Sequence, residues 1–298
     1  MSSVMGNDRN VDRMLVRHVP STDGVEVAVH DLGGPDDERA PVLLLCHANG
    51  FCAGVWEPLA SHLTGTFRCI ALDLRGHGRA VTPPDLSFDW SGFGDDVVAV
   101  LDAGVLPAGA PVHGVGHSLG GCSLVLAGAR RPDAFRSLWL YEPIIPPPGS
   151  MPPVAAGENP MAAAALRRRP DFPSVEAAIE NYASKPPLDV FHPDALRAYV
   201  EHGFAPTEGG ITLRCRPEWE AAIFQLGGGN GAFAVLGDIA VPVSVVVGSE
   251  QAFGPAAFAP HVADALPIGY LSRHPELGHF GPLEDPATMA SEIRRFVE

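Results

Sequence analysis

Positive charge is scarce in this sequence, and long apolar runs are missing. The chain has 20 lysine and arginine residues against 35 aspartates and glutamates, a formal net charge of −15. This balance argues against nucleic acid or an anionic membrane as a partner, because both are themselves negatively charged. No segment approaches the length that spans a bilayer, and residues 1–13 lack the apolar core of a secretory signal. We therefore expect a cytoplasmic protein with a flexible N-terminus over residues 1–13.

The cysteines form no recognisable motif. None of the five is spaced as C-x-x-C, and Cys46, Cys69 and Cys122 lie within apolar runs. This placement is typical of packing residues in a reducing compartment. No motif in the chain requires a metal ion or an organic cofactor, so neither is expected.

The stretch from Val112 to Leu126 combines a strand pattern, a glycine-rich turn and a helix pattern. Its turn, residues 116–120, reads GHSLG and matches the G-x-S-x-G nucleophile elbow. In such an elbow the glycines allow strand and helix to approach closely, and Ser118 takes a strained backbone conformation at the start of a helix. A glycine-rich turn that contains a serine by coincidence fits the same five residues, so the rest of the chain must decide.

Strand and helix patterns alternate along most of the chain. A leading hairpin is expected over residues 14–19 and 25–32. Further strands are expected at 41–47, 67–74, 110–115, 137–141, 241–247 and near Tyr270, and helices at 54–63, 92–106, 122–129, 255–266 and 285–297. Such β-α-β-α units predict an α/β protein with a mostly parallel central sheet flanked by helices. In these sheets the ligand site lies outside the carboxyl ends of the strands, where Ser118 falls.

The composition changes after the strand at 137–141. Residues 142–149, EPIIPPPG, cannot continue a sheet or enter a helix. From Met151 to about Gly229 the pattern is helical, with one helix begun by Pro193 and stopped by Gly203. We predict a core of residues 14–148 and 230–298, and a helical cap of residues 149–229 over the carboxyl edge of the sheet.

Four segments carry a resemblance to a known family. HANGF at 47–51, DLRGHGRA at 73–80, GHSLGG at 116–121 and GHFGPLEDP at 278–286 occur in this order. They resemble the oxyanion loop, the glycine-rich turn, the nucleophile elbow and the histidine loop of α/β-hydrolases with a cap domain. By element order the resemblance covers residues 25–298, and it implies the α/β-hydrolase fold with a helical cap inserted after the sixth strand.

The chemistry of this constellation assigns roles to four residues. A serine hydroxyl is a weak nucleophile at neutral pH and needs a neighbouring base, so we expect Ser118 to be the nucleophile and His279 the general base and then acid. The oxyanion that forms needs main-chain N–H donors, expected from Leu119 and, by its position in the first loop, from Asn49. An ordinary Asn-Gly turn is the alternative interpretation of Asn49. His47 and His77 are expected to be structural, most other histidines are expected to be surface or packing residues, and His117 is expected to point away from the nucleophile.

The acidic member of the triad is harder to place. The resemblance puts an aspartate three residues after the glycine of VPVSVVVGSEQAF, where this chain has Gln251. Glu250 is one residue earlier, but a shift of one residue at a strand end turns the side chain to the opposite face. Glu142 follows the preceding strand, where some members of the superfamily place their acid, and we favour it over Glu250. Asp73 and Asp238 are weaker alternatives.

Serine at position 118, where epoxide-opening and dehalogenating relatives use a carboxylate, indicates acyl transfer to water. We expect a serine hydrolase that forms an acyl-enzyme from an ester, lactone or thioester with a hydrophobic part. The alternatives are a carbon–carbon bond hydrolase, a cofactor-free perhydrolase or haloperoxidase, and a non-catalytic small-molecule receptor on the same scaffold, which Gln251 encourages. Residues 167–169, three arginines, could meet an anionic substrate or form a solvated face.

Overall fold

The computed structural model describes residues 15–151, 155, 157–252 and 254–298. The predicted flexible N-terminus, residues 1–13, lies outside the described residues, as does residue 14 of the predicted core. Eight strands form the central sheet. Their bounds are Leu15–Pro20 (β1), Glu26–Gly33 (β2), Val42–Cys46 (β3), Arg68–Asp73 (β4), Val112–His117 (β5), Ser137–Tyr141 (β6), Val243–Val247 (β10) and Gly269–Arg273 (β11). Their spatial order in the sheet is β1-β2-β4-β3-β5-β6-β10-β11.

The sheet is mostly parallel. Strand β2 pairs antiparallel with β1 and β4, whereas β3, β4, β5, β6, β10 and β11 pair in parallel. Every residue of β3, β5, β6 and β10 is buried, because helices cover both faces of a parallel sheet and shield both from solvent. These continuous apolar runs are the feature that predicted the parallel sheet from the sequence.

The helices divide between the two faces of the sheet. Their bounds are Glu57–Ser61 (α1), Trp90–Asp102 (α2), Leu119–Arg130 (α3), Pro160–Leu166 (α4), Val175–Ala183 (α5), Pro193–Gly203 (α6), Pro217–Leu226 (α7), Pro255–Ala265 (α8), Gly281–Glu284 (α9) and Pro286–Val297 (α10). Leu44 packs on one side with Val97 of α2 and Val125 of α3. Its neighbour Leu45 packs on the other side with Ile293 of α10, as the alternation of side chains along a strand requires.

The segment between β6 and β10 is not entirely helical, which corrects the helical pattern predicted for it. Besides α4 to α7 it contains a three-stranded antiparallel sheet of Asp171–Phe172 (β7), Phe204–Thr207 (β8) and Gly210–Leu213 (β9). Strands of two to four residues are too short for their alternation to be detected in a sequence. The division into a core of 14–148 and 230–298 and a cap of 149–229 remains our proposal.

None of the described helices combines the length and the apolar character that crossing a membrane requires. The five cysteines are buried free thiols. Burial raises the pKa of the Cys69 thiol to about 12, because the thiolate would lose its hydration.

Candidate active site

The turn between β5 and α3 holds Ser118 in a strained conformation. Its φ of 55° and ψ of −111° lie in a region that residues with a Cβ rarely adopt. The Ser118 N–H donates to the carbonyl of Tyr141 over 3.0 Å, which fixes the turn to the adjacent strand. A Cβ on Gly120 would overlap the carbonyl of Cys46, and one on Gly116 would lie 2.7 Å from the Cα of Gly121. Glycines at these positions therefore let the chain turn sharply enough to present Ser118.

Two predicted donors lie on either side of this serine. Leu119 is the first residue of α3, so its N–H has no acceptor within the helix. Asn49 is buried, and its side-chain amide donates to the carbonyl of Glu220 over 3.1 Å. The next N–H, that of Gly50, donates to Nε2 of His77 over 3.0 Å. These bonds fix the loop on two sides, and the role expected of Asn49 falls on its main-chain N–H.

The structure brings His279 and Glu142 together. Nδ1 of His279 donates to Oε2 of Glu142 over 2.6 Å. The second carboxylate oxygen accepts the N–H of Gly248 over 3.0 Å, and Glu142 itself is only 1% exposed. By contrast, Glu250 and Gln251 are exposed. Of the carboxylates weighed from the sequence, Glu142 is the one in contact with the histidine.

Three side chains hold the histidine loop, and none of them was expected in this role from the sequence. The Glu284 carboxylate accepts the N–H of Gly278 over 2.9 Å and that of Phe280 over 3.1 Å. The hydroxyl of Tyr141 donates to the carbonyl of Gly278 over 2.7 Å. Nε2 of His117 donates to the carbonyl of His279 over 2.8 Å. His117 was expected simply to point away, but it supports the main chain of His279, which lines the same cavity as Ser118.

Burial sets the charge state of this supporting layer. It lowers the pKa of His117 well below the usual range, and the nearby charge of His279 adds to the effect. Burial likewise raises the pKa of Tyr141, with Glu142 as the largest charge contribution. Both side chains are therefore neutral hydrogen-bond donors at neutral pH.

A second buried layer lies under the 47–51 loop. The carboxylate of Asp73 accepts the N–H groups of Ala53 over 2.6 Å and Arg79 over 2.8 Å, and pairs with His30. Burial alone raises the pKa of Asp73, but the charges of His30 and His47 and the hydrogen bonds outweigh it and hold the pKa well below its usual range. Asp73 thus holds the main chain at Ala53, just after the loop, and at Arg79, and its carboxylate is occupied.

Ser118 and His279 line one cavity of about 420 Å³. We call the part contributed by the loops of the central sheet the floor, and the part contributed by residues 160–226 the roof. The floor consists of Ala48, Asn49, Phe51, Ser118, His279 and Phe280. The roof includes the apolar side chains of Met161, Leu188 and Phe224 and several charged ones.

The charged centre of the roof is an internal ion pair. Arg168 pairs with Glu220 and also donates to the hydroxyls of Tyr199 and Tyr182. Burial alone lowers the pKa of this arginine, but Tyr199 and Glu220 outweigh it and raise the pKa well above the ordinary value. Its charge is therefore permanent and largely satisfied by its neighbours. Among the residues the structure describes, no group of three or more His, Cys, Asp or Glu side chains could hold a metal ion.

Comparison with known proteins places the chain in a family. A 2-(acetamidomethylene)succinate hydrolase of Mesorhizobium japonicum is 28% identical over 265 residues, 87% of this chain and 88% of that protein. A crystal structure of E-2-(acetamidomethylene)succinate hydrolase superposes with a TM-score of 0.73 at 24% identity, covering 94% of this chain and 98% of the other. The esterase RhEst1 from Rhodococcus sp. ECU1013 gives 0.71 at 24% identity over 95% and 98%.

These two likenesses to solved structures establish the fold, in agreement with the architecture expected from the sequence. The model of the alpha/beta hydrolase family matches residues 43–292, which is most of the chain and includes all five predicted site residues. The protein therefore belongs to the alpha/beta hydrolase family and is a hydrolase.

Proposed function

We propose that the protein is a serine hydrolase with Ser118 as nucleophile, His279 as general base and then acid, and Glu142 as the acidic member of the triad. The observation that carries the proposal is the 2.6 Å contact between Nδ1 of His279 and Oε2 of Glu142, in a histidine that shares its cavity with Ser118. The contact fixes which ring nitrogen carries the proton and leaves Nε2 to take one from a hydroxyl.

The reaction proceeds in two halves. Oγ of Ser118 attacks the substrate carbonyl while its proton moves to Nε2 of His279, and the leaving group departs with that proton. Water then attacks the acyl-enzyme, with His279 acting again as base, and the acid is released. The buried Glu142 stabilises the imidazolium that forms in each half.

The oxyanion of each tetrahedral intermediate is met by the N–H groups of Leu119 and Asn49. Leu119 contributes the unpaired N–H at the start of α3. Asn49 lies in a loop that is held in place by hydrogen bonds to Glu220 and His77. Its main-chain N–H therefore needs no reorganisation during the reaction.

The cavity supports a small-molecule substrate with an apolar part. Its volume of about 420 Å³ lies in the range of small-ligand pockets. Phe51 and Phe280 of the floor and Leu188 and Phe224 of the roof line it together. We therefore propose an ester, lactone or thioester whose acyl or leaving group is hydrophobic.

An amide substrate is the second candidate. The Mesorhizobium relative, similar over 87% of this chain, is named for a succinate that carries an acetamido group. The same nucleophile and oxyanion donors would cleave an acyl carbon–nitrogen bond, with His279 protonating the departing nitrogen.

Covalent labelling tests the nucleophile. The protein is treated with a serine-reactive fluorophosphonate, and the adduct is located by peptide mass spectrometry. We expect a single adduct on Ser118, equally formed in a Ser123→Ala variant, whose lost hydroxyl lies buried in the same helix bonded to the carbonyl of Leu119. No adduct on Ser118, under conditions that label a control esterase, contradicts the proposal and favours a receptor on the hydrolase scaffold.

A panel of p-nitrophenyl esters of graded acyl length, run beside lactones, thioesters and anilides, identifies the bond cleaved. Preference for longer acyl groups is expected from the apolar lining. Faster cleavage of anilides than of matched esters would favour the amide candidate.

A further inference from the structure

The charges around the cavity are opposite in sign to those of the whole chain. The chain has 35 acidic and 20 basic side chains, yet the charged residues of the roof comprise four cations and one carboxylate. The cations are Arg167, Arg168, Arg169 and Lys185, and the carboxylate is Glu220. Lys185 is the single lysine of the sequence. The cavity is therefore a positive region in a strongly negative molecule, which is the condition for drawing an anion in.

Within the part of the chain that the structure describes, one of these cations has a carboxylate partner. Arg168 is paired with Glu220. Nζ of Lys185 donates to the neutral amide oxygen of Asn181 over 2.8 Å. Nε of Arg169 donates to a main-chain carbonyl over 2.7 Å, and its guanidinium stacks on the ring of Phe172 at 4.6 Å.

Arg167 completes the set of uncompensated cations. Neither Arg167, Arg169 nor Lys185 has a carboxylate partner within the described ranges 15–151, 155, 157–252 and 254–298. All three are exposed, so they form the outer edge of the cavity. We call these three side chains the cationic rim.

The alternative interpretation of the cationic rim is a cluster of solvated surface charges without a ligand. Two exposed arginines elsewhere do pair with carboxylates, Arg130 with Asp95 and Arg131 with Asp102, so exposure alone does not prevent pairing. The rim differs because its three cations line one cavity in a protein with surplus acid, yet no carboxylate among the described residues pairs with them. Holding like charges together costs energy unless a bound anion offsets the repulsion.

We propose that the cationic rim binds a carboxylate on the substrate, so that the hydrolysed ester or amide is an anion. The inference rests on the proposed function, because it concerns the same cavity. The substrate carboxylate lies at the rim while the scissile carbonyl reaches Ser118, and the carbon chain between them packs on Phe51 and Phe224. Selectivity then comes from the distance between the two polar ends of the substrate.

Paired esters of equal length test the rim. p-Nitrophenyl adipate, a half-ester with a free carboxylate, is compared with p-nitrophenyl hexanoate, which has the same six-carbon chain without charge. We expect the wild type to favour the adipate in kcat/KM by about tenfold, and the preference to shrink as salt rises, because exposed charges are screened.

The triple variant Arg167→Gln, Arg169→Gln and Lys185→Gln is expected to lose this preference. The KM for the adipate rises about tenfold, while kcat/KM for the hexanoate stays within about twofold. The matched control is Arg197→Gln, an exposed arginine of the same segment that pairs with Glu201. It is expected to leave both esters unaffected.

The possible outcomes separate the inference from the proposed function. Two results would refute carboxylate binding by the rim without affecting the proposed serine hydrolase. One is an equal loss of activity on both esters in the triple variant. The other is the absence of an adipate preference in a wild type that hydrolyses the hexanoate through Ser118. If the wild type hydrolyses neither ester, binding of free adipate to the protein is measured by calorimetry. Binding that weakens about tenfold in the triple variant supports the rim, and binding that is absent or unchanged refutes it.

Discussion

The floor and the roof of the cavity are built in different ways. Ser118 of the floor is buried, and so is Glu142, which bonds to His279 of the floor. Both have positive φ, and main-chain hydrogen bonds hold them to neighbouring strands. On the roof, Arg167 and Lys185 are exposed and held by few contacts. This difference indicates that the floor carries out the chemistry and the roof selects the substrate. Proton transfer requires fixed geometry, whereas substrate choice depends on side chains that can change without disturbing the scaffold.

Removing the nucleophile is the largest expected effect on the floor. Ser118→Ala should lower kcat by about 10⁴-fold or more for every ester, short or long, because the covalent step is lost. Steady-state kinetics with the graded ester panel measures it, and circular dichroism verifies the fold. Ser123→Ala, the matched control, should remain within about threefold of wild type. Substantial turnover by Ser118→Ala would show that another residue performs the attack.

Neutralising Glu142 should have the next largest effect. Glu142→Gln should lower kcat by about 10³-fold with little change in KM, because an amide cannot stabilise the imidazolium by charge. The loss should be the same for all substrates, because Glu142 acts through His279 of the floor. Glu250→Gln, the exposed control, should have no effect. If the two variants exchange outcomes, the assignment of the acid is wrong.

Asp73→Asn should affect stability more than chemistry. Breaking its buried contacts with His30 and with the N–H groups of Ala53 and Arg79 should cost about 3 kcal/mol at pH 7, more than 100-fold in the unfolding equilibrium. Urea unfolding measures the free energy, and Asp102→Asn, which removes an exposed ion pair, should cost less than about 1 kcal/mol.

The contribution of the Asp73 carboxylate to stability should depend on pH. Folding lowers the pKa of Asp73 below its ordinary value of 3.8, so its contribution is full above that value and is lost as pH falls toward the folded-state pKa. Wild type should therefore approach the stability of Asp73→Asn as the solution is acidified below pH ~4. A gap between the two proteins that stays constant down to acid denaturation would contradict this role.

His117→Phe tests whether the histidine loop must be held from below. The ring is replaced by one of similar shape without the donor to the carbonyl of His279. We expect kcat to fall about tenfold and KM to stay constant, because His279 is less well oriented while the roof is intact. His113→Phe changes a histidine of the same strand that bonds to Ser137 and should leave kcat unchanged. Equal effects of the two variants would reduce His117 to a packing role.

The smallest effect should come from a single apolar residue of the roof. Phe224→Ala should lower kcat/KM for octanoyl esters about fivefold and leave butyryl esters unchanged, because only a long chain reaches the position it vacates. Leu226→Ala, an exposed residue of the same helix, is the control. A uniform loss across chain lengths would mean that the roof also shapes the chemistry, and the division between floor and roof would fail.

Much of the floor was predictable because its chemistry forces residue types onto short segments. Glycines 116 and 120 must be glycine for steric reasons, and so the elbow around Ser118 is visible in the sequence. The continuous apolar runs of the strands likewise predicted the parallel sheet and the position of its carboxyl edge. Glu142 was preferred over Glu250 from strand geometry, and the structure places it on His279.

The remainder depends on contacts between distant segments. The bond from His117 to His279 spans 162 residues, and nothing local to either position signals it. Glu284 offered a weak signal, since a carboxylate six residues after Gly278 can bond back to the N–H groups of the loop. Short strands such as β7 and β9 form because Gly210 lets the chain approach Phe172 closely, which no periodicity reports.

The central claim is that Ser118, His279 and Glu142 act as one unit, and the rate at which a fluorophosphonate modifies Ser118 tests it most directly. This rate is measured in wild type, Glu142→Gln, His279→Ala and the double variant. If Glu142 acts only through His279, the double variant should react no more slowly than His279→Ala alone, because losses within a unit are not additive. A double variant slower by the product of the two single losses would contradict the triad.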